Sequence, residues 1–210
     1  MIQCDSCQGL GFIPAASSFG MPASCFKCSG SGQIALKQLC AADHACHFYT
    51  DGHQQMRTMV SFIIEGLKKN ERCVCVVNEN SLEELRAALS ENGIRVEDES
   101  ARGALLILAP QDAYLKHGPF VAKDILSQYR QFVEETLSQG FSALRACGEW
   151  SWILENPALF DELLQYESLT DDYFLKEKPR FLGLCQYNAS HFPPAVIQGL
   201  RDVHRLVLQD

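Results

Sequence analysis

His44-Ala-Cys-His-Phe-Tyr-Thr-Asp51 and Phe62-Ile-Ile-Glu-Gly-Leu-Lys-Lys-Asn-Glu-Arg-Cys-Val-Cys-Val-Val77 are the stretches of this sequence that decide its fold. The apolar run Ala45–Tyr49 predicts a short strand. Between the two stretches, the apolar residues of Gln54–Asn70 recur with a helical period, and Arg72–Val77 is rich in cysteine and valine, as in a buried strand. The order strand, helix, strand therefore opens an alternating α/β pattern.

The alternation continues to the end of the chain. A capping box, Ser81-x-x-Glu84, predicts a helix that Gly93 ends, and Gly140 stops a long amphipathic helix. Five strands separated by helices predict an α/β fold with a mostly parallel sheet covered on both faces. The remaining predicted strands are Leu105–Leu108, Ala143–Cys147 and Phe181–Gln186, and the remaining helices are Phe120–Gln139, Pro157–Phe174 and Pro193–Leu208.

Ahead of this region, one eight-residue pattern occurs twice, as Cys4-Asp-Ser-Cys7-Gln-Gly-Leu-Gly and as Cys25-Phe-Lys-Cys28-Ser-Gly-Ser-Gly. Two residues between the cysteines let one turn direct both sulfurs at the same ion, and two such pairs supply the four ligands of a tetrahedral zinc site. Cys4, Cys7, Cys25 and Cys28 are therefore predicted to hold one structural Zn²⁺ per chain. The alternatives are two disulfides or a thioredoxin-like redox pair.

The repeated pattern resembles the cysteine-rich zinc finger of DnaJ-type chaperones over residues 4–32. Those chaperones carry four repeats and two zinc ions, whereas this chain has two repeats and no His-Pro-Asp motif of a J-domain. The resemblance therefore implies zinc binding and not chaperone activity. The predicted organisation is a zinc finger over residues 1–35, a connector over 36–43 and an α/β domain over 44–210.

Composition and charge narrow the class of protein. The chain has 210 residues, of which 47% are hydrophobic and 21% charged, the balance of an ordinary globular protein. No apolar run reaches the ~18 residues of a membrane span, and the first residues lack a secretory signal. Ten cysteines without such a signal predict reduced thiols and metal binding. We therefore expect a cytoplasmic protein that does not act at a membrane.

The net charge of −8 disfavours nucleic-acid binding by the large domain, because phosphate contacts require a basic patch. Two lysines in the first 40 residues are weak support for a nucleic-acid role of the finger. The expected partners are an unidentified small molecule, a regulatory protein, or both. A homo-oligomer is compatible with the sequence.

A second resemblance runs from about His44 to about Leu208 and includes three further motifs. They are Gly148-Glu-Trp-Ser-Trp, Leu184-Cys-Gln-Tyr-Asn and His191-Phe-Pro-Pro. With the two opening stretches, they resemble the MEDS domain, the sensory domain of DcmR-type regulators in methanogens and methylotrophs. That family is similar to the RecA/KaiC ATPase core. The resemblance implies a RecA-like sheet and a sensor of a ligand or signal, whose output would run through the finger or a partner protein.

The segment after the first strand, Thr50–Thr58, departs from the phosphate-binding pattern of such ATPases. It holds one glycine and no Gly-Lys pair, and Arg57-Thr58 is a poor substitute. ATP hydrolysis is therefore not expected, and the protein is interpreted as a non-enzymatic sensor with a degenerate phosphate loop.

Ligand-binding residues are expected where parallel strands end, since binding sites in such sheets lie beyond their carboxyl ends. A carboxylate beside two tryptophans suits a cationic or planar ligand, although tryptophans there can instead pack under the next helix. One shared pocket is predicted from Tyr49, Glu149, Trp150, Trp152, Gln186, Tyr187 and His191.

Several histidines and cysteines allow other interpretations. His44, Cys46 and His53 are chemically able to form a second metal site, or they are packed core residues. Cys40 is either a spare metal ligand or a linker residue. Two rival functions stay open: a thiol-based redox sensor, and an enzyme using Glu149, His191 and the strand-end thiols.

Overall fold

We describe the protein from a computed structural model, which covers residues 36–78 and 81–208 and the backbone of four short strands before them. Cys4, Cys7, Cys25 and Cys28, the predicted zinc ligands, lie outside the described residues.

The four short strands pair in a nested order. They are β1 (Ile2–Gln3), β2 (Phe12–Ile13), β3 (Ala23–Ser24) and β4 (Gln33–Ile34). β1 pairs antiparallel with β4, and β2 pairs antiparallel with β3. The first repeat lies in sequence between β1 and β2 and the second between β3 and β4, so the strands that flank the two repeats pair with each other.

The rest of the described chain alternates strands and helices. Short 3₁₀ turns occupy Leu36–Gln38, Pro110–Asp112, Ser151–Glu155 and Pro157–Leu159. In chain order the elements are β5 (His44–Tyr49), α1 (Gly52–Lys68), β6 (Arg72–Val76), α2 (Leu82–Glu91), α3 (Val96–Ala101), β7 (Leu105–Leu108), α4 (Ala122–Ser138), β8 (Leu144–Glu149), α5 (Phe160–Glu177), β9 (Phe181–Asn188), α6 (Pro194–Val203) and β10 (Leu206–Leu208).

Six of these strands form a parallel sheet in the order β10-β5-β9-β8-β6-β7. β1 and β4 extend it antiparallel at the β10 edge, where Ile2 pairs with Leu208. This confirms the predicted α/β class with a mostly parallel sheet. The carboxyl ends of β5, β9 and β8 are neighbours, because His47, Gln186 and Glu149 lie at matching heights of the sheet.

Helices cover both faces of the sheet. α1, α2 and α3 pack on one face, and α4, α5 and α6 pack on the other. Each face has its own apolar core, and the face under α4–α6 is the more aromatic. None of the described helices is both long enough and apolar enough to cross a lipid bilayer.

Helix α1 lies unusually close to the sheet at Gly66. A Cβ at this position would collide with the side chain of Arg145 and lie 2.6 Å from Cys73 Sγ. The buried Arg145 pairs with Glu71 and places its guanidinium 4.6 Å from the Phe62 ring centre. The buried charge is thus paired and hydrogen-bonded, as a buried ion requires.

The structure corrects the predicted end of the chain. The helix expected over Pro193–Leu208 stops at Val203, because Leu206 turns into the sheet beside Ala45 and is buried there. Residues Leu206–Leu208 thus form a sixth parallel strand where the sequence analysis predicts helix. A further short helix, Val96–Ala101, was not predicted.

Two local predictions differ as well. Ser81 precedes helix α2, but its side chain makes no capping hydrogen bond. The segment Thr50–Thr58, interpreted as a loop, is mostly helix: only Thr50 and Asp51 separate β5 from α1. Gly93 and Gly140, by contrast, end their helices with positive φ angles of 82° and 87°, as predicted.

Candidate functional site

A cavity of about 550 Å³ lies on the α4–α6 face, between α4 and strands β6–β9. Exposed residues Lys116, His117 and Gln131 stand at its rim. The volume falls in the range of small-molecule pockets. Its wall is mainly apolar, with lining residues that include Val74, Leu106, Leu108, Phe132, Phe174 and Phe181.

Hydroxyl groups supply polarity within this wall. Tyr129 and Tyr166 share a hydrogen bond of 2.9 Å between their hydroxyl oxygens. The Tyr114 hydroxyl approaches Gly148 so closely that a Cβ there would collide with it. The Thr170 hydroxyl is buried and makes no hydrogen bond within the described part of the chain. These groups can orient a bound molecule without making the pocket strongly polar.

The inner end of the cavity reaches His44 and Cys185, which belong to a buried cluster with Glu167 and His204. Glu167 Oε2 lies 3.2 Å from His44 Nε2 and 3.2 Å from His204 Nε2. Cys185 Sγ lies 3.5 Å from the same oxygen and 3.6 Å from His44 Nε2. Each of these residues is at most 6% exposed.

Electrostatics within the cluster favour charged groups despite their burial. Burial lowers the pKa of His44, but Asp171 and Glu167 outweigh it and raise this pKa overall. Burial also lowers the pKa of His204, yet Cys46 and Glu167 outweigh this effect and raise the pKa to about 9. Burial raises the pKa of Glu167, but His204 and His44 hold it well below its ordinary value. Burial and these neighbours together therefore favour the carboxylate form of Glu167 and the protonated forms of the two histidines.

For the thiol of Cys185, by contrast, the surroundings favour the neutral form. Burial, and then the neighbouring Glu167 carboxylate, raise its pKa well above the ordinary value. The free thiol is therefore protonated at neutral pH and is a poor nucleophile.

Three of the predicted pocket residues come together on the α1–α3 side. The Tyr49 hydroxyl donates to Glu149 Oε1 over 2.9 Å, and the Ser151 backbone N–H donates to the same oxygen over 2.8 Å. Gln186 bonds His47 Nδ1 over 3.0 Å and the Gln55 carbonyl over 3.2 Å. These groups are buried and satisfied by protein partners.

The other predicted pocket residues lie elsewhere. Trp150 and Tyr187 are fully buried in the aromatic core on the opposite face, with Trp150 stacked on Tyr114 at 4.6 Å. Trp152 joins this core at its edge, and His191 is exposed in the turn after β9. The seven residues therefore do not line one pocket, and none of them lines the cavity under α4. The correction follows from strand geometry, since successive side chains point to opposite faces.

The residues of the possible second metal site also lie in different parts of the fold. His44 belongs to the buried cluster, and Cys46 is buried close to His204. His53 lies in the first turn of α1 and is exposed, well apart from this group by its place in the fold. Cys40 is exposed, and its backbone N–H donates to Asp43.

Sequence reasoning missed Glu167 and His204. Glu167 occurs within an otherwise amphipathic helix, and His204 within a segment interpreted as helical. One signal was available: Glu167 is surrounded in sequence by apolar neighbours at helical spacing, which places a carboxylate on the buried face.

The start of α1 explains how this fold differs from a phosphate-binding one. The Asp51 carboxylate caps the helix by accepting a hydrogen bond from the His53 backbone N–H over 3.2 Å. A helix N-terminus can bind a phosphate through its free N–H groups and positive dipole. Here a carboxylate already occupies that position.

The comparisons with known proteins agree with this architecture. A search among solved structures finds the KaiC-like protein PH0186 from the hyperthermophilic archaeon Pyrococcus horikoshii OT3. The TM-score is 0.53 and the identity 14%, with 80% of this chain and 70% of that chain covered. The likeness shows a RecA-like fold alone. A sequence search among curated proteins finds no match.

The family model for MEDS, described as the MEthanogen/methylotroph, DcmR Sensory domain, matches residues 43–205. This range runs from the residue before β5 to the residue before β10 and includes all four members of the buried cluster. The chain therefore belongs to the MEDS family of sensory domains.

Proposed function

We propose that this chain is a signal-sensing protein whose α/β domain binds a small, largely apolar molecule in the cavity under α4. The observation that carries the proposal is that one cavity of about 550 Å³ joins an exposed rim to the buried His44 and Cys185. A ligand of this kind would gain binding energy from apolar contact and orientation from a few polar groups.

The chemistry of the wall supports an apolar ligand over a phosphate. Aromatic and aliphatic side chains form most of it, while Tyr129, Tyr166 and Thr170 add hydroxyl groups. The position where related folds hold phosphate is occupied by the Asp51 carboxylate. We therefore expect no tight ATP binding and no hydrolysis.

A fluorescent probe tests the proposal directly. N-phenyl-1-naphthylamine is uncharged and emits strongly in apolar surroundings, and it is small enough for the cavity. The chain has two tryptophans, Trp150 and Trp152, close to the cavity through Tyr114, so they can transfer excitation energy to a bound probe. We expect one probe per chain and energy transfer on binding.

Ala146→Phe should weaken probe binding at least tenfold, because Ala146 lines the cavity and a phenyl ring would fill part of it. Ala87→Phe is the matched control, since Ala87 is exposed on α2 and adds the same volume elsewhere. Gln128→Trp, on the half-buried lining of α4, obstructs the cavity without altering a strand. Unchanged binding in folded Ala146→Phe and Gln128→Trp would contradict the proposal.

We also propose that the N-terminal repeats hold one structural zinc through Cys4, Cys7, Cys25 and Cys28 and connect the sensor to its output. The pairing of β1 with β4 and of β2 with β3 supports this, because it brings together the strands that flank the two repeats. In this proposal the protein is cytoplasmic and non-catalytic, and it signals through a regulatory partner protein.

A redox role has one observation in its favour. Cys75 and Cys147 are register partners on adjacent parallel strands. Both are 1% exposed, and burial, followed by interaction with Cys147, raises the pKa of Cys75 well above its ordinary value. Buried thiols are poorly accessible to oxidants, and the raised pKa of Cys75 disfavours its reactive thiolate, so ligand sensing is the better-supported function.

A further inference from the structure

In the four-residue cluster behind the cavity, four of the six separations between ligand atoms are close to those of a tetrahedral metal site. Around zinc, sulfur lies about 2.3 Å and nitrogen or oxygen about 2.0–2.2 Å from the ion, so neighbouring ligand atoms are about 3.3 to 3.6 Å apart. Here Glu167 Oε2 lies 3.2 Å from Nε2 of each histidine. Cys185 Sγ lies 3.5 Å from Glu167 Oε2 and 3.6 Å from His44 Nε2. All four ligand atoms lie within 4.8 Å of one another.

One hydrogen bond and one ion-pair contact on the outer side orient these atoms toward a common centre. His204 Nδ1 lies 2.7 Å from the Leu200 carbonyl oxygen, so that nitrogen donates its hydrogen and Nε2 faces the cluster. His44 Nδ1 faces Asp171 Oδ1 at 3.6 Å, which leaves His44 Nε2 directed inward as well. Metal-binding histidines are usually oriented in this way by a carbonyl or carboxylate on the other ring nitrogen.

The carboxylate divides its two oxygens between separate tasks. Glu167 Oε1 accepts a hydrogen bond from the Tyr187 hydroxyl, whereas Oε2 faces both histidines and Cys185. Tyr187 is fully buried, so this hydrogen bond holds the carboxylate in one orientation.

His204 Nε2 supplies an independent indication. It is buried and has no aligned hydrogen bond within the described residues, although Glu167 Oε2 is 3.2 Å away. A buried polar atom without a directed partner is costly. A metal ion between the two atoms would satisfy both, because each would then direct its lone pair at the ion.

We propose that His44, Glu167, Cys185 and His204 bind one divalent transition-metal ion, with Zn²⁺ as the best match. Two imidazoles, one carboxylate and one thiolate form a mixed set that suits zinc and its spectroscopic substitute Co²⁺. The site is distinct from the four cysteines of the N-terminal repeats.

The position of this ion would give it a structural and a sensory role. Its ligands come from β5, α5, β9 and the connection between α6 and β10, so binding would fasten two helices to the sheet. Because His44 and Cys185 also line the cavity, a molecule at its inner end would lie beside the metal site. The metal proposal does not depend on the identity of such a molecule.

Metal content of the full chain, purified under reductant and reconstituted with Zn²⁺, tests the proposal. We expect two zinc ions per chain, one in the repeats and one in the cluster. Glu167→Gln and Cys185→Ser should each lose one ion, with at least about tenfold weaker zinc binding. Cys4→Ser combined with Cys7→Ser should lose the other ion, and adding Glu167→Gln should leave none.

Two matched controls separate ligation from general damage. Cys147→Ser removes a buried thiol from the opposite side of the sheet, and His53→Gln removes an exposed histidine. Both should keep two ions. In the Cys4→Ser/Cys7→Ser protein loaded with Co²⁺, a sulfur-to-cobalt charge-transfer band should be present, lost in Cys185→Ser and retained in Cys147→Ser.

The proposal is overturned if the folded Cys4→Ser/Cys7→Ser protein takes up no zinc or cobalt. It is also overturned if Glu167→Gln and Cys185→Ser keep the metal content of the unaltered chain. If the unaltered chain binds two zinc ions but does not bind the probe in the cavity, only the ligand-sensing proposal is contradicted.

Discussion

Glu149 shows how one buried carboxylate is accommodated at the end of a strand. Its Oε1 accepts hydrogen bonds from Tyr49 and from the backbone and side chain of Ser151. The His47 ring lies 5.9 Å from the ring of Tyr49 on the same side of the sheet. Burial raises the pKa of Glu149, and the hydrogen bonds from Ser151 and Tyr49 only partly oppose that effect. The folded protein therefore favours the protonated form more than the unfolded chain does.

This shift predicts how the substitution Glu149→Gln depends on pH. The stability that a raised carboxyl pKa contributes is fully present below the unfolded pKa and is lost as pH rises through the folded pKa. The glutamine keeps an acceptor oxygen for Tyr49 and Ser151 and carries no charge to bury. We therefore expect little change in the free energy of unfolding near pH 4 and a more stable variant at pH 7.5.

Urea unfolding at several pH values measures this difference. Glu134→Gln, an exposed carboxylate on α4, controls for the loss of one negative charge. A Glu149→Gln protein less stable than the unaltered chain at pH 7.5 would show that the charged carboxylate is favoured where it lies.

At the scale of elements, the junction between β5 and α1 determines what this edge of the sheet can bind. Two residues connect the strand to the helix, and the second, Asp51, has extended backbone angles and caps the helix with its side chain. A carboxylate at this position also interacts favourably with the positive end of the helix dipole. The junction is thus built for helix stability and leaves no loop to wrap a phosphate.

Asp51→Ala should lower the free energy of unfolding by about 1 kcal/mol, because it removes the acceptor for the His53 N–H. Asp51→Asn should retain most of the stability, since an asparagine oxygen can still cap the helix. Denaturant melts of the three proteins compare these effects. Equal losses in both variants would assign the effect to charge and not to the capping hydrogen bond.

At the scale of the whole molecule, two of the N-terminal strands, β1 and β4, belong to the same sheet as the α/β domain. Among the described residues, the pairing across this boundary is that of Ile2 with Leu208 at the edge strand β10. The α/β domain has its own two-sided core, whose buried residues come from the domain and its connector, and Leu208 packs against its edge. The stability of the domain should therefore depend little on the repeats.

Cys7→Ser tests this independence together with the proposed finger zinc. We expect loss of one zinc per chain and a shift of the main thermal transition of less than about 4 °C, equivalent to roughly 1 kcal/mol for a domain of this size. Elemental analysis and calorimetry provide the two readouts, and Cys40→Ser, at an exposed cysteine of the connector, is the control. Unchanged zinc content would contradict the proposed zinc site. Loss of the main thermal transition would contradict the independence of the α/β domain.

Local sequence patterns alone determined the α/β class, the parallel sheet and the lack of a phosphate loop. Strand and helix periods repeat over many residues, and Gly93 and Gly140 end helices through their own backbone freedom, so neighbours in sequence suffice to predict them. The motifs between His44 and His191 likewise pointed to the family that the comparison confirms.

Only the tertiary structure decided where the sites lie. His44, Glu167, Cys185 and His204 are far apart in sequence and meet because β5, β9 and β10 are neighbours while α5 packs across them. Trp150 leaves Glu149 for the opposite face because consecutive side chains along a strand alternate. Leu206 joins the sheet because burial beside Ala45 outweighs a local preference for helix. The cluster and the added strand depend on contacts between distant segments, and no local pattern encodes those contacts.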